Sequence, residues 1–391
     1  MFNNSSKVAV SQTEIWLDGR NISRSGGTGI YYYASNHRSA IEKIGLQTAW
    51  LLEDTTGLPT YPTFQRAIRS ICSYPSPIST ASFQSQWGKA YLSHDLYRIA
   101  HLHYRTHGRI LKLRPAIPPS IMHWTCPLPT LIEGCRNIVT IHDLIPLTHP
   151  DLTGIDGTRF YHLIKNLIEN SVEFVAISET VRQQMLKFFS LSERQITTLY
   201  QPVEFDDGIL EEIKNAPRIA PPDSFIFYGR VENRKNIERL LTAHALSQTN
   251  TPLAIIGPYG DDEPDCSPKG PTSTIIRLPW SKRLSLLRTL LEAKALLFPS
   301  LAEGFGIPII EAMSLGTPVL TSKGGATEEI AGGAAYLCSP TGDITELVQG
   351  ISYFDTLSPE EKKSIIQKGY ERAKFFSTLH YTEKLKEFYF M

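Results

Sequence analysis

Two glutamates stand with seven residues between them in the run AEGFGIPIIEAMSLGTPVL, residues 302 to 320: Glu303 before a pair of glycines, Glu311 inside the apolar stretch that follows. An ionised carboxylate only accepts hydrogen bonds, through two oxygens, so such a pair suits hydroxyl groups and vicinal diols above all. A second polar run, GRVENRKN (229 to 236), carries Arg230 and Lys235. Fixed cations of this kind neutralise a diphosphate. Acids for hydroxyls and bases for phosphoryl oxygens together make the chemistry of holding a sugar or ribose that bears a phosphate.

Both runs need positioning. KALLFPS (294 to 300) reads as a buried strand, after which Glu303 falls on a loop and Gly304 and Gly306 let the backbone bend and come close to a ligand. Ile307 and Pro308 begin a helix, with proline in its favoured first turn, so Glu311 lies within that helix. Strand, tight turn and helix start leave free N–H groups and the positive helix end at the carboxyl edge of a parallel sheet, which is a seat for an anion. FIFYGRVENRKNIERLLTAHA (225 to 245) repeats the rhythm: strand to Tyr228, turn at Gly229 and Arg230, helix from near Asn236. Arg230 and Lys235 then project from a loop toward the same edge, with Arg234 read as surface.

In the first half, EIWLD (14 to 18) is a strand followed by glycines at 26, 27 and 29 and a helix. A dinucleotide fingerprint starting at Gly27 would need glycine where Tyr32 stands, so a nicotinamide enzyme is a poor reading. LQTAWLLED (46 to 54) is the next strand, and a long irregular insertion separates it from IMHW at 121. NIVTIHDLIPLTHP (137 to 150) is a buried strand ending at His142 and Asp143, where ligands bind in open α/β sheets. For Asp143 two readings stand: orienting His142 or an acceptor hydroxyl, or closing the turn. EFVAIS (173 to 178) is a further strand, and Ser178 caps the helix after it. PLAIIG and TIIRLPW follow as strands, with a helix opened by Ser281. The βα alternation predicts an α/β chain with mostly parallel sheets.

The chain has 391 residues, too many for one ordinary core, with 41% hydrophobic and 20% charged residues, the balance of a folded globular protein. Thirty-nine basic residues match 39 acidic ones, which argues against a nucleic-acid partner. Five cysteines without metal or redox spacing fit a reducing compartment, and no metal site is expected. With no secretory leader and no apolar run of about 18 residues, a cytoplasmic protein is expected. Residues 66 to 114 carry eight Lys or Arg against one acid, Asp95. With Tyr91, Leu92, Leu96, Tyr97, Ile99 and Ala100 this is either a basic face resting peripherally on anionic membrane or a solvated helix packed on the sheet.

The Glu303 to Glu311 spacing, closed by SLGTPV, and the Gly-Arg then Arg-Lys-Asn arrangement resemble the donor site of family 4 glycosyltransferases, retaining enzymes of the GT-B fold. The resemblance covers almost the whole chain and is strongest from 225 to 340. It implies two Rossmann-like doubly wound domains facing across a cleft: 1–205 on the acceptor side, a linker at 206–223, a nucleotide-sugar domain at 224–374, and a terminal helix in 375–391 that packs back on the first. It implies that Glu303 lies against the transferred sugar, Glu311 binds the ribose, and Arg230 and Lys235 hold the diphosphate. Gly304, Phe305 and Gly306 join the donor site, and His142 contacts the sugar. Gly27 and Gly29 either approach the donor phosphates or the acceptor, or only permit the turn. Leu278 and Trp280 fall near the base. No cofactor, metal or protein nucleophile is implied. HDLIPLTHP further resembles bacterial mannosyltransferases of surface polysaccharide synthesis, implying GDP-mannose as donor and a saccharide or lipid-linked saccharide as acceptor, with a UDP-hexose as alternative. A phosphorylase-like GT-B enzyme would need a pyridoxal-phosphate lysine, for which Lys323 is the candidate.

Overall fold

The runs FIFY, LAII and ALLF are apolar at every position and wholly buried, as strands covered on both faces must be. The computed structural model describes residues 14–22, 29–54, 64, 68, 78–279 and 281–390. In the first half these form β1 (Glu14–Asp18), α1 (Gly29–Lys43), β2 (Gln47–Asp54), β3 (Phe83–Ser85), β4 (Gly88–His94), α2 (Leu96–His107), β5 (Leu111–Leu113), β6 (Ile121–Trp124), β7 (Thr130–Ile132) and β8 (Arg136–Ile141). Then come α3 (Ile145–Thr148), α4 (Gly157–Glu169), β9 (Glu173–Ala176), α5 (Glu179–Phe188) and β10 (Ile196–Thr198). The sheet order is β10-β9-β8-β6-β1-β2-β4-β3, parallel except for β3 at the edge. The stretch after β2, expected to be irregular, in fact contributes β4 to this sheet, paired with β2 from Trp50 opposite Ala90 to Asp54 opposite His94.

The second half holds α6 (Asp207–Asn215), β11 (Phe225–Tyr228), α7 (Ile237–Leu246), β12 (Leu253–Ile256), β13 (Ile275–Leu278), α8 (Arg283–Leu291), β14 (Ala295–Phe298), α9 (Ile307–Ser314), β15 (Val319–Ser322), α10 (Gly325–Ala331), β16 (Tyr336–Cys338), α11 (Thr345–Asp355) and α12 (Pro359–Lys374). Its sheet is all parallel, ordered β13-β12-β11-β14-β15-β16. Strand order reverses between β11 and β14, so the loops after these two neighbours bound one crevice. That reversal brings the 229–236 and 299–306 runs together.

Two expectations change here. Residues 206 to 223 are not a bare linker: Asp206 accepts from Ile209 N (2.8 Å) to start α6, whose Ile213 is fully buried in the second core. Leu210 packs beside it on the same core, and two apolar contacts in a helix of nine residues leave little periodic signal. And α8 starts at Arg283, with Lys282 rather than Ser281 at the cap and no side-chain bond there.

The last helix, α13 (Thr378–Phe390), packs on the first domain. Leu385 and Phe388 join that core, and Arg136 donates to the carbonyls of Phe388 and Tyr389 at the helix end. Tyr381 and Tyr389 reach a buried histidine pair: Tyr381 OH lies 2.5 Å from His37 Nδ1, Tyr389 OH 2.6 Å from His123 Nδ1, and the two rings approach to 3.0 Å between His37 Nε2 and His123 Nδ1. Burial holds His37 down to about 3 and His123 well below its ordinary value, so both stay neutral and share protons with the phenols.

Candidate active site

Gly229 adopts a φ of 140° directly after β11, and Asn236 at φ 62° ends the turn before α7. This folds Lys235 inward, where it is only 7% exposed, with its ammonium 4.7 Å from the centre of the Phe298 ring. From the neighbouring strand, Glu303 meets it. The Lys235 ammonium pairs with Glu303 Oε1, Arg234 Nη1 donates to Glu303 Oε2 at 2.7 Å, and the other arm of Arg234 pairs with Glu232 at 2.6 Å. Burial pushes the Glu303 carboxyl up, but the charges of Lys235 and Arg234 outweigh it and hold the group down to about 2. Burial likewise pushes Lys235 below its ordinary value, against the attraction of Glu303. The result is a carboxylate held between two basic side chains beside the start of α9. Gly306, at φ 115°, supplies the N-cap there and Pro308 sits in the first turn.

Glu311, at the start of the second turn of α9, is 3% exposed. Tyr228 OH donates to Glu311 Oε2, and Arg283 straddles the carboxylate, with Nη1 2.9 Å from Oε2 and Nη2 on Oε1. The Arg283 guanidinium also lies 5.7 Å from the ring of Tyr32, on α1 of the other domain. Three donors thus satisfy the oxygens of this buried carboxylate.

Across the cleft, β8 and β6 are adjacent, so His142 Nε2 reaches Thr125 O at 2.7 Å. A carbonyl only accepts, hence Nε2 carries the hydrogen and Nδ1 keeps its lone pair. Burial holds His142 at about 4, against that hydrogen bond, and the ring is neutral. Thr125 N in turn donates to the buried Asp18. Asp143 does not orient His142; it accepts from Ile145 N (3.1 Å) and closes the turn, while its carboxyl, pushed up by burial, feels Arg234 and Glu303. Gly304 touches this loop so closely that an added Cβ would stand 1.7 Å from His142 O. Ser178 both caps α5, accepting from Val181 N (3.2 Å), and donates to Gly304 O (2.7 Å). Glu329 accepts from the N–H groups of Glu179 and Thr180, both at 2.7 Å. A carboxylate from the second domain thus caps a helix of the first.

Of the residues singled out from sequence, Glu303, Lys235, Gly304, Gly306, His142 and Asp143 come together. Glu311 lies at the same sheet edge through Tyr228, the last residue of β11. Arg230 is exposed beside that edge and, among the described residues, has no carboxylate partner. Arg234, read as surface, is instead a principal partner of Glu303; alternation could not tell which of two neighbouring cations turns inward. Phe305 does not face a ligand: it is 3% exposed, with its ring 5.7 Å from Phe376. Gly29 opens α1 with nothing within 4 Å of an added Cβ. Gly27 and Trp280 lie outside the described residues, and Leu278 is partly buried on β13. Lys323 is exposed and paired with Glu346 at 2.7 Å, which leaves the phosphorylase-like reading without its lysine. Arg283 and Tyr228 were missed, since an arginine opening a helix and a tyrosine ending a strand carry no spacing signal. The apolar side of the 66–114 segment is spent on the core, where Leu96, Tyr97, Ile99 and Ala100 are buried. Arg66 and Arg69 lie outside the described residues. No helix among the described residues is long and apolar enough to cross a membrane.

Two doubly wound sheets with their carboxyl edges apposed, and charged loops from both on the cleft, define the GT-B architecture. Sucrose-phosphate synthase of Thermosynechococcus elongatus superposes with a TM-score of 0.65 at 16% identity, over 96% of this chain and 98% of that one. Residues 210–372 match the family described as "Glycosyl transferases group 1". Among curated relatives, the O-antigen chain mannosyltransferase RfbU of Salmonella typhimurium is 24% identical over 330 residues, 82% of this chain and 86% of its own. O-antigen chain mannosyltransferase B of Escherichia coli is 26% identical over 227 residues, 54% of this chain and 59% of its own. The chain is a glycosyltransferase of the GT-B fold carrying a group 1 domain.

Proposed function

We propose that this chain transfers a mannosyl residue from GDP-mannose, with retention of anomeric configuration, to a saccharide or lipid-linked saccharide in surface polysaccharide synthesis. The observation that carries the reading is the Glu303 carboxylate held between Lys235 and Arg234 at the cleft, opposite His142. The mannose preference is supported by the relatives named as O-antigen mannosyltransferases.

In this reading the donor diphosphate lies against Lys235, Arg230 and the start of α9, and negative charge growing on the leaving oxygen meets cations already in position. Lys235 is held at the cleft by Glu303 before the donor arrives and re-pairs with the diphosphate as it binds. Glu303 then exchanges its two ion pairs for hydroxyls of the sugar, and Glu311 takes the ribose diol, sharing Arg283. Neutral His142 offers its Nδ1 lone pair to a sugar hydroxyl. The bond from the anomeric carbon to the diphosphate breaks while the acceptor oxygen bonds to the same face of that carbon, and the acceptor proton passes to the departing diphosphate. No covalent protein intermediate and no bound metal are needed for this balance.

Donor hydrolysis and binding across a panel of nucleotide sugars tests it: GDP-mannose should be the best donor. Preferential use of a UDP-hexose would overturn the mannose assignment while leaving the enzyme class intact. Lys235→Ala should cost ~3 kcal/mol in transition-state stabilisation, about a hundredfold in turnover.

A further inference from the structure

Tyr32 stands on the first turn of α1, where a dinucleotide fingerprint would have glycine, and is 42% exposed. Its ring meets that of Tyr31 edge to face at 5.3 Å on its own helix, and it faces the Arg283 guanidinium of the second domain at 5.7 Å. A guanidinium within about 6 Å of a ring centre is drawn to the π-face. The two residues stand where α1 follows β1 and α8 follows β13, at the carboxyl edges that bound the cleft. Arg283 therefore touches two partners at once, the Glu311 carboxylate of its own domain and an aromatic ring of the other.

The acceptor capacity of Glu311 sets what happens when a sugar arrives. A carboxylate offers about four lone-pair positions on its two oxygens. Tyr228 OH and Arg283 Nη1 occupy Oε2, and Arg283 Nη2 occupies one position on Oε1. One position is left, on Oε1, whereas a vicinal diol brings two O–H donors. One resident donor must then withdraw. Tyr228 is fixed, as the last residue of the fully buried strand β11 and itself 6% exposed. The Arg283 side chain is 38% exposed and is the one able to move. Water can satisfy the N–H groups it frees, and the Tyr32 ring already lies within reach of its charge.

We propose that Arg283 and Tyr32 form a ribose-responsive contact between the domains: a vicinal diol on Glu311 displaces Arg283 Nη1 from Oε2, and the guanidinium settles on the Tyr32 ring. Tyr32 is then a positioning residue that favours nucleoside diphosphates with an intact ribose diol, because only these release the arginine toward the first domain. The diol on Glu311 rests on the glycosyltransferase reading; the exchange and the role of Tyr32 go beyond it.

The test is calorimetric titration of the full chain with GDP, UDP and ADP, each beside its dideoxyribose analogue, which lacks the diol. Wild type should bind the ribose form of its preferred nucleotide more tightly. Tyr32→Ala should narrow that preference about threefold, the effect of a cation–π contact at an exposed site, by weakening the ribose form alone. Tyr32→Phe, which keeps the ring, should restore it. In an Arg283→Ala background Tyr32→Ala should change nothing further; should that background not fold, the two Tyr32 variants decide alone. Equal weakening of both forms would mean that Tyr32 stacks on the base or only packs α1, and it overturns the proposal, as does an unchanged preference or a Tyr32 effect that persists without Arg283. The expected pattern with UDP or ADP in place of GDP supports the proposal while overturning the GDP-mannose assignment. If none of the nucleotides binds, the glycosyltransferase reading fails and this inference with it.

Discussion

Replacing Glu303 by glutamine keeps the shape of the side chain and removes the charge on which Lys235 and Arg234 converge. The Glu303 and Lys235 side chains are 10% and 9% exposed, so solvent screens the pair little. A carboxyl held at about 2 rather than its ordinary 4.5 is stabilised as the anion by about 3 kcal/mol, in line with the cost of breaking a buried ion pair. Lys235, already pushed down by burial, then sheds its proton more readily, which keeps the loss near that figure. For a domain of this size the melting temperature falls by roughly 10 °C. The sign with pH follows: a folded-state value below the unfolded one contributes stability above pH 4.5, and this is lost as pH falls toward 2. Calorimetry of wild type and Glu303→Gln should therefore give a full gap at pH 7 that narrows steadily below pH 4.5. A gap under about 2 °C at neutral pH, or one that does not narrow in acid, would refute the claim that these cations hold the carboxylate in the free protein.

Gly304→Ala should lower turnover about a hundredfold with little effect on melting, because relieving a Cβ 1.7 Å from His142 O parts the domains by ~1.5 Å; undiminished kcat would show that the cleft need not close this far. His142, held at about 4, is neutral from pH 6 to 8, so His142→Gln should lower kcat/KM about fivefold to tenfold by the same factor at both ends of that range. An acid limb near pH 6.5 that vanishes in the variant would contradict it. Arg283→Ala should destabilise by about 2 kcal/mol, less than a fully buried pair because its side chain is 38% exposed while that of Glu311 is 4% exposed. Arg283→Lys should recover less than half of this in urea unfolding, since an ammonium cannot straddle the carboxylate.

The local code carried far in this chain. Short apolar runs marked β1, β2, β6, β8, β9, β11, β12, β13 and β14, and Ser178 and Pro308 announced the helix starts they form. Glu303, Lys235 and His142 were legible because each follows a buried strand, and strand ends on parallel sheets meet at one edge. What stayed hidden depends on facing and distance. Arg234 turns inward because Asn236 takes a left-handed conformation and Glu303 waits on the adjacent strand. Phe305 turns away because Phe376 fills the space behind it. Arg283 joins Glu311 across 28 positions, and Glu329 caps α5 across 150. A linear pattern records which residues alternate, and so the amino-acid order by itself determined the two-sheet plan and the types of group available. Which carboxylate meets which cation was decided only when strand order set β11 beside β14 and the two domains closed on Gly304, since ion pairs form by proximity in space.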